Sequence, residues 1–420
     1  MINMTNDQTK KLYYDDQTLT RFTARVLVCE PEKNGWQVLL DATAFYPEGG
    51  GQPADHGVLS AADAAGRDAL SAGAASGPLP AARVLDVHEK GGLIWHLTDA
   101  PLPAGETVTG EVDAVRRLEM SQQHTGEHIL SGLLHEMFGA ENVGFHIGEE
   151  IVTLDTSLPI PPEGLAEAER RANAVIWADT PVRAFWPAPE ELAQLEYRSK
   201  KALEGPVRIL EIPGADRCAC CGTHVAHAGQ VGMIKIIAAQ NYKRGTRITI
   251  ACGLRALADY RAKCTEQTGI SVLLSAKPGR LAEAVGRLAA ENDALKARLA
   301  ESENRLFAKL AAEVTPGSAP LLLCEGLAPD GLRRLCSALC EKTSRPCAAF
   351  SPAESGGFGY ALGWMGSDEN GRPADIRPLG KALNAAFAGR GGGKPGLVQG
   401  SVAAPGFAEI EAFWKENTAQ

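Results

Sequence analysis

The stretch Asp216-Arg-Cys-Ala-Cys-Cys-Gly-Thr-His-Val-Ala-His227 gathers three cysteines and two histidines, and far upstream His124-Thr-Gly-Glu-His128 carries two more histidines at i and i+4. Residues at that spacing stack on one face of a helix, so His124 and His128 can reach a single ion. Cys220 and His224 repeat the spacing with sulfur and imidazole donors, a set suited to tetrahedral zinc. Two pairs so far apart close one site only if the fold brings them together. The rival is a local knuckle of Cys218, Cys221, His224 and His227, which leaves little chain to wrap a tetrahedron. Cysteines buried as small apolar residues, with no metal, are a third reading. Ligand count alone does not separate a structural zinc from a catalytic one, because a closed sphere staples a fold and an open position works on a substrate.

Working outward, Val112 to Met137 has the spacing of a helix, with Val115, Leu118, Ile129, Leu133, Leu134 and Met137 mostly three and four apart. Strands and helices then alternate irregularly to about Ala258, which predicts an α+β domain over 113–265 that contains the zinc site. Upstream, short alternating runs such as Phe22 to Cys29 and Trp36 to Ala42 sit between Gly, Pro and Asn clusters, the pattern of a small β-barrel over 1–112. Within it, Ser60 to Ala82 is nearly all Ala, Gly, Ser, Pro and Asp and reads as a surface loop. Downstream, Leu281, Val285, Leu288, Leu295, Leu299 and Leu306 fall on coiled-coil spacings, with Asn292 and Ser302 at two core positions. Residues 270–314 are therefore expected to form a coiled coil or helical hairpin, and 315–420 a C-terminal α/β unit starting with the run Pro320-Leu-Leu-Leu-Cys324.

Two glycine-rich turns stand out. Phe45-Tyr-Pro-Glu-Gly-Gly-Gly-Gln-Pro-Ala-Asp-His-Gly57 lets the backbone come close to a bound group and present N–H donors, with Gln52 and Asp55 adding hydrogen-bonding side chains. A plain hairpin turn is the simpler alternative. Gly389-Arg-Gly-Gly-Gly-Lys-Pro-Gly396 is no phosphate loop, since Ala388 stands where the first glycine belongs and Pro395 follows the lysine. Even so, Arg372, Arg377, Lys381, Arg390 and Lys394 against Asp375 make this the most basic stretch of the C-terminal unit. A solvated loop and an RNA-backbone contact fit it equally.

Composition sets the outer bounds. The chain has 420 residues, 45% hydrophobic and 22% charged, so it can bury a real core. No run approaches the roughly 18 apolar residues of a membrane span. Met1 to Tyr14 is polar, with Lys10 and Lys11, unlike a secretory signal, so a cytoplasmic location is expected, with no membrane partner. Ten cysteines are too few for a disulfide scaffold. A net charge of −9 means that any nucleic acid is held by a local basic patch.

On these motifs the chain resembles the free-standing alanyl-tRNA editing proteins, the long form of the AlaX group, which are similar to the editing and C-terminal parts of alanyl-tRNA synthetase. His124 to His128 resembles the family's first zinc motif and Cys220-Cys-Gly-Thr-His224 its second, with Cys218 and Cys221 as neighbouring sulfur candidates. Phe45 to Gly57 resembles the glycine-rich motif of the longer members. Gly391 to Gly396 resembles the terminal motif of the DHH-associated domain, although Gly396 occupies a position that is usually acidic. No stretch resembles an adenylation domain.

The resemblance implies Zn2+ held by His124, His128, Cys220 and His224. It also implies hydrolysis of the ester joining serine or glycine to the terminal adenosine of alanine tRNA. Gln52, Gly50, Gly51 and Thr125 are then the candidates for handling the aminoacyl group, and Arg372, Arg377, Arg390 and Lys394 for binding the nucleic acid. Editing has a physical reason, since an alanine pocket cannot exclude glycine and rejects serine weakly, by about 10- to 200-fold. A homodimer through the coiled coil, with Asn292 setting register, is a further expectation. The competing readings are a tRNA-binding or dimerising relative with structural zinc, and a hydrolase of small aminoacyl esters.

Overall fold

The computed structural model describes residues 8–61, 81–199, 205–354, 356–367 and 374–419. The chain divides into two units, Met1–Thr268 and Gly269–Gln420. Most of the expected loop from Ser60 to Ala82 lies outside the described residues.

After short elements at Lys10–Lys11 and Leu12–Asp15, the first unit supplies six barrel strands, β1 (Arg21–Glu32), β2 (Gly35–Leu40), β3 (Gly57–Ala61), β4 (Ala81–Lys90), β5 (Leu93–Thr98) and β6 (Thr107–Val112). They close into a small barrel in the order β1-β2-β5-β4-β3-β6. Period-two alternation turns Phe22, Ala24 and Val26 of β1 inward, where they meet Val38, Leu40, Leu59, Val84 and Ile94. The segment 41–56, which carries the triple glycine, leaves the barrel between β2 and β3.

Helix α1 (Ala114–Phe138) follows directly. The Asp113 carboxylate caps it, accepting from the amides of Val115 and Arg116 at 3.0 Å each. Ile129, Leu133 and Leu134 are buried as their spacing predicts, whereas Val115 and Leu118 stay on the surface. The sequence pattern understates the burial, because the helix is enclosed along most of Met120 to Leu134, including its polar residues from Ser121 to Glu127. An antiparallel sheet of β7 (Asn142–Ile147), β8 (Val152–Thr156), β12 (Ile234–Tyr242) and β13 (Gly245–Cys252) covers one side, in the order β12-β13-β8-β7. Helix α2 (Pro162–Trp177) joins the same core through Leu165, Ala168, Ala172 and Ile176. A smaller sheet of β9 (Arg183–Phe185), β10 (Ile209–Ile212) and β11 (Asp216–Ala219) leads into the cysteine-rich loop. Helix α3 (Gly253–Leu273) follows β13 and runs past the unit boundary at Thr268.

In the second unit, α4 (Leu281–Ala312) is one continuous helix rather than a hairpin. Val285, Leu288, Leu295, Leu299 and Leu306 are exposed along it. Beyond it, β14 (Leu321–Leu323), α5 (Pro329–Cys340), β15 (Cys347–Pro352), β16 (Phe358–Gly363), α6 (Arg377–Ala386), β17 (Arg390–Lys394), β18 (Leu397–Val402) and α7 (Phe407–Thr418) build a mixed sheet in the order β14-β15-β16-β18-β17. The glycine-rich basic segment is thus an edge strand of a hairpin. No helix among the described residues is long and apolar enough to cross a membrane.

Barrel and helix are joined by Arg117, whose Nε donates to both Asp55 oxygens at 3.1 and 3.0 Å and whose Nη2 also bonds Asp55. Its remaining donors reach the carbonyls of Gln17 at 2.9 Å and Ala44 at 2.6 Å. Asp55 also accepts from the Tyr46 amide at 2.6 Å, so this carboxylate is spent on structure. Both side chains are almost fully buried. Removing one partner strands the other charge, at a cost of about 3–5 kcal/mol. Arg117→Met should therefore lower the thermal midpoint by roughly 6–20 °C at 2–4 °C per kcal/mol. An unchanged midpoint in calorimetry would show that the pair does not join the two parts.

Candidate metal centre

Helix α1 presents His124 and His128 one turn apart, their rings stacked with centroids 5.1 Å apart. The loop after β11 brings Cys220 and His224 against them. His124 Nε2 lies 3.5 Å and His224 Nε2 3.3 Å from Cys220 Sγ. The four donor atoms all fall within 4.8 Å of one another. Donors around a tetrahedral ion at 2.0–2.3 Å sit about 3.5 Å apart, the spacing that Cys220 already has to His124 and His224. Gly222 permits the approach, because a Cβ there would lie 2.1 Å from His124 Cε1.

Each imidazole is oriented through its other nitrogen. His124 Nδ1 is 2.8 Å from Gln52 Oε1, His224 Nδ1 is 3.3 Å from Thr125 Oγ1, and His128 Nδ1 is 3.1 Å from Asp216 Oδ2. Outer partners of this kind set ring orientation in metal sites. Asp216 is itself held by Arg198, at 2.8 Å from Nε and 2.9 Å from Nη2. Burial would raise the Asp216 carboxyl, but His128 and Arg198 hold it down to about 2. Burial likewise opposes charge on Cys220, yet the imidazoles around it, His124 first, bring the thiol well below its usual range. Burial pushes His224 down to about 3, which keeps it a neutral donor.

The other sulfurs point elsewhere. Cys218 Sγ sits 3.1 Å from His128 Nδ1, on the far side of that ring, while Cys221 is exposed. His227 is also exposed and lies near Asp179, so Cys218, Cys221, His224 and His227 do not converge as a knuckle.

Gly49 and Gln52 exchange backbone hydrogen bonds at 3.0 Å in both directions, closing a tight turn with Gly50 and Gly51 at φ 62° and 90°. Two of the turn's amides are therefore already used. Gly51 packs against Phe145, where a Cβ would lie 2.6 Å from the carbonyl oxygen, while Gly49 and Gly50 border a cavity of 270 Å³. His124, Glu127, His128, Cys220 and three tyrosines, Tyr13, Tyr14 and Tyr46, line the same cavity. A larger cavity of 450 Å³ beyond His128 touches neither the glycine turn nor Cys220. Gln52 is fully buried and donates to Thr223 Oγ1 at 2.8 Å while accepting from the Thr223 amide at 3.2 Å.

Several members of the site carry no pattern that sequence reading singled out. Glu127 is buried beside His128, and its Oε1 accepts from Asn142 at 2.5 Å. Arg208 holds the cysteine-rich loop, donating from Nη1 to the carbonyls of Gly222 at 2.9 Å and Cys220 at 3.2 Å. Its guanidinium lies over the Tyr14 ring at 5.1 Å. The signal for Glu127 and Asp216 was their position inside the two histidine- and cysteine-bearing motifs. Arg208, Tyr13 and Tyr14 had none, whereas Tyr46 lay inside the glycine-rich motif. Of the basic candidates in the second unit, Arg390 and Lys394 end the exposed edge strand β17, and Arg377 is paired with Asp375 at 2.6 Å. Arg372 lies outside the described residues.

Residues 207–249 match the family described as threonyl and alanyl tRNA synthetase second additional domain. The alanine–tRNA ligase of Halorubrum lacusprofundi is 36% identical over 256 residues, 59% of this chain and 26% of the ligase. The chain thus spans about a quarter of the length of that ligase. The alanyl-tRNA editing protein AlaX-L of Pyrococcus horikoshii is 29% identical over 306 residues, 71% of each chain. A crystal structure of the C-Ala domain from Aquifex aeolicus alanyl-tRNA synthetase matches at 26% identity with a TM-score of 0.20, covering 26% of this chain and 97% of that one. The chain is related to the alanyl-tRNA editing proteins and to the editing region of alanyl-tRNA synthetase.

Proposed function

We propose that the protein is a hydrolase acting in trans, in the cytoplasm, on alanine tRNA that carries serine or glycine. The observation that carries this reading is the convergence of three imidazoles and one thiol beside a small cavity rimmed by the glycine turn. The relationship to an alanyl-tRNA editing protein supports the substrate class. Bound zinc would supply the Lewis acidity that polarises an ester carbonyl or acidifies water.

The chain's own residues account for the remaining requirements. Gln52, spent on His124 and Thr223, acts by holding His124 in place, and Thr125 does the same for His224. The amide of Gly50, at the cavity rim, is suited to meet the oxygen that gains charge as water adds to the ester. Glu127 has Oε1 fixed by Asn142, leaving Oε2 to accept the proton of the attacking water. The bond between the acyl carbon and the ribose oxygen then breaks, and the proton held by Glu127 passes to that oxygen, releasing the amino acid and the terminal hydroxyl. At 270 Å³ the cavity lies near the lower end for small-ligand sites, about 300 Å³, which suits a small aminoacyl group. Arg390 and Lys394, with Arg377 partly neutralised by Asp375, are the candidate contacts to the RNA backbone.

Four protein donors also suit a closed sphere, so a second reading is a non-catalytic tRNA-binding or dimerising relative with structural zinc. Deacylation separates the two. Purified protein should release serine from seryl-tRNA specific for alanine and largely spare the alanylated form, with Glu127→Gln slowing release about 100-fold at unchanged zinc content. No release from seryl- or glycyl-tRNA by zinc-loaded protein would favour the binder, and equal rates on all substrates would remove the editing assignment.

Elemental analysis should find one zinc held by the four-donor set. Asp216→Asn should weaken it by about 10- to 100-fold in competition with a chelator, through loss of the His128 orienting contact. Retention equal to the parent would remove Asp216 from that role. The stripe from Val285 to Leu306 is read as the seam of a homodimer, which light scattering at micromolar concentration should detect. A monomer there would reject it.

A further inference from the structure

Away from the metal centre, three cysteines of the second unit meet. Cys336 and Cys340 lie one turn apart at the end of α5, and Cys347 begins β15. Cys340 Sγ is 2.8 Å and Cys336 Sγ 3.9 Å from Cys347 Sγ. Leu335, Leu339, Ala349 and Ala361 enclose the group in an apolar cluster. Opposite Cys347 in the strand register stands Gly363, where a Cβ would lie 2.4 Å from Cys340 Sγ and 2.8 Å from Cys336 Sγ. The missing side chain is the space into which the sulfurs converge.

The three differ in access and in charge. Cys336 and Cys347 are fully buried, whereas Cys340 keeps 7% of its surface exposed. Hydrogen bonds from Cys336 and then Cys347 hold the Cys340 thiol below its usual range, against the opposing effect of burial. Low-pKa thiols beside a resolving thiol are the ones that peroxides oxidise reversibly. The 2.8 Å separation is shorter than ordinary non-bonded heavy-atom contact at about 3.5–4.0 Å, so little movement brings the two sulfurs to bonding distance. A disulfide leaves this apolar cluster uncharged. A thiolate-held metal would leave net negative charge in it, with no fourth side-chain donor grouped with the three sulfurs among the described residues.

We propose that Cys340 and Cys347 form a peroxide-responsive oxidation site, with Cys340 as the reacting thiol and Cys347 as its resolving partner. The Cys340 thiolate attacks one oxygen of hydrogen peroxide, the O–O bond breaks, and the departing hydroxide takes a proton to leave as water. Cys347 sulfur then attacks the resulting sulfenic acid. The S–S bond forms as the S–O bond breaks, and the released hydroxide takes up the Cys347 proton as a second water. Two thiols and one peroxide thus give one disulfide and two waters, and a low-molecular-weight dithiol reverses the change. The bond joins the end of α5 to the first residue of β15, across the loop 341–346. This inference is independent of the function proposed for the first unit.

The test is peptide mapping of the full-length protein, fully reduced and then treated with a few equivalents of hydrogen peroxide. A cross-linked peptide pair containing Cys340 and Cys347, two hydrogens lighter than the separate thiols and released by dithiothreitol, is the expected result. Cys336→Ala should retain the cross-link, whereas Cys347→Ala should leave Cys340 to be trapped as a sulfenic acid by dimedone. Circular dichroism checks that both variants fold, and the mapping of the parent protein stands without them. Free Cys340 and Cys347 after treatment, further oxidation of Cys340 without a cross-link, or protection that disappears when a chelator strips a bound metal would each overturn the proposal.

Discussion

A buried run of polar side chains on α1 is the constraint on which the first unit depends. From Ser121 to Glu127 almost every residue carries hydrogen-bonding groups, and the run is enclosed by protein. A buried polar group without a partner costs about 1–3 kcal/mol, so each of these needs a partner supplied by another part of the chain. Gln122 donates to the Gln230 carbonyl, and Gln123 bonds both backbone groups of Cys252. His124 takes Gln52, Thr125 takes His224, Glu127 takes Asn142, and the adjoining His128 takes Asp216. The barrel turn, the sheet and the cysteine-rich loop are thereby drawn to about two turns of one helix.

The geometry of the candidate metal centre follows from that arrangement. Three imidazoles can present their Nε2 atoms together because their Nδ1 atoms are held by Gln52, Thr125 and Asp216, one on the barrel segment, one on α1 itself and one on β11. The Arg117–Asp55 pair fixes the barrel segment relative to the helix, and Arg208 fixes the loop that carries Cys220. The donor set is therefore oriented by hydrogen bonds to the chain's own side chains.

Sulfur sits in two different surroundings in the two units. Cys220 is surrounded by imidazoles, which stabilise its thiolate and suit it to a borderline metal. Cys336, Cys340 and Cys347 are surrounded by leucine and alanine, where a neutral disulfide is favoured over a charged complex. The same i, i+4 helical spacing brings His124 to His128 and Cys336 to Cys340, so the difference lies in what packs against the helix.

The sequence by itself determined the elements whose signal is local. Alternation in Phe22-Thr-Ala-Arg-Val marked a barrel strand, helical spacing marked α1, and the paired spacings of His124 with His128 and Cys220 with His224 marked candidate ligands. The relationship to editing proteins was legible in those same motifs. Tertiary structure decided what depends on the neighbours a residue meets. It left Val115 and Leu118 on the surface of α1, assigned Asp55 to Arg117, and turned Cys218 to the far side of His128. It also made Gln52 a support for His124, and set the basic glycine segment as an edge strand. Local spacing records the period of an element, whereas burial and partner choice depend on long-range contacts that no short window of sequence contains.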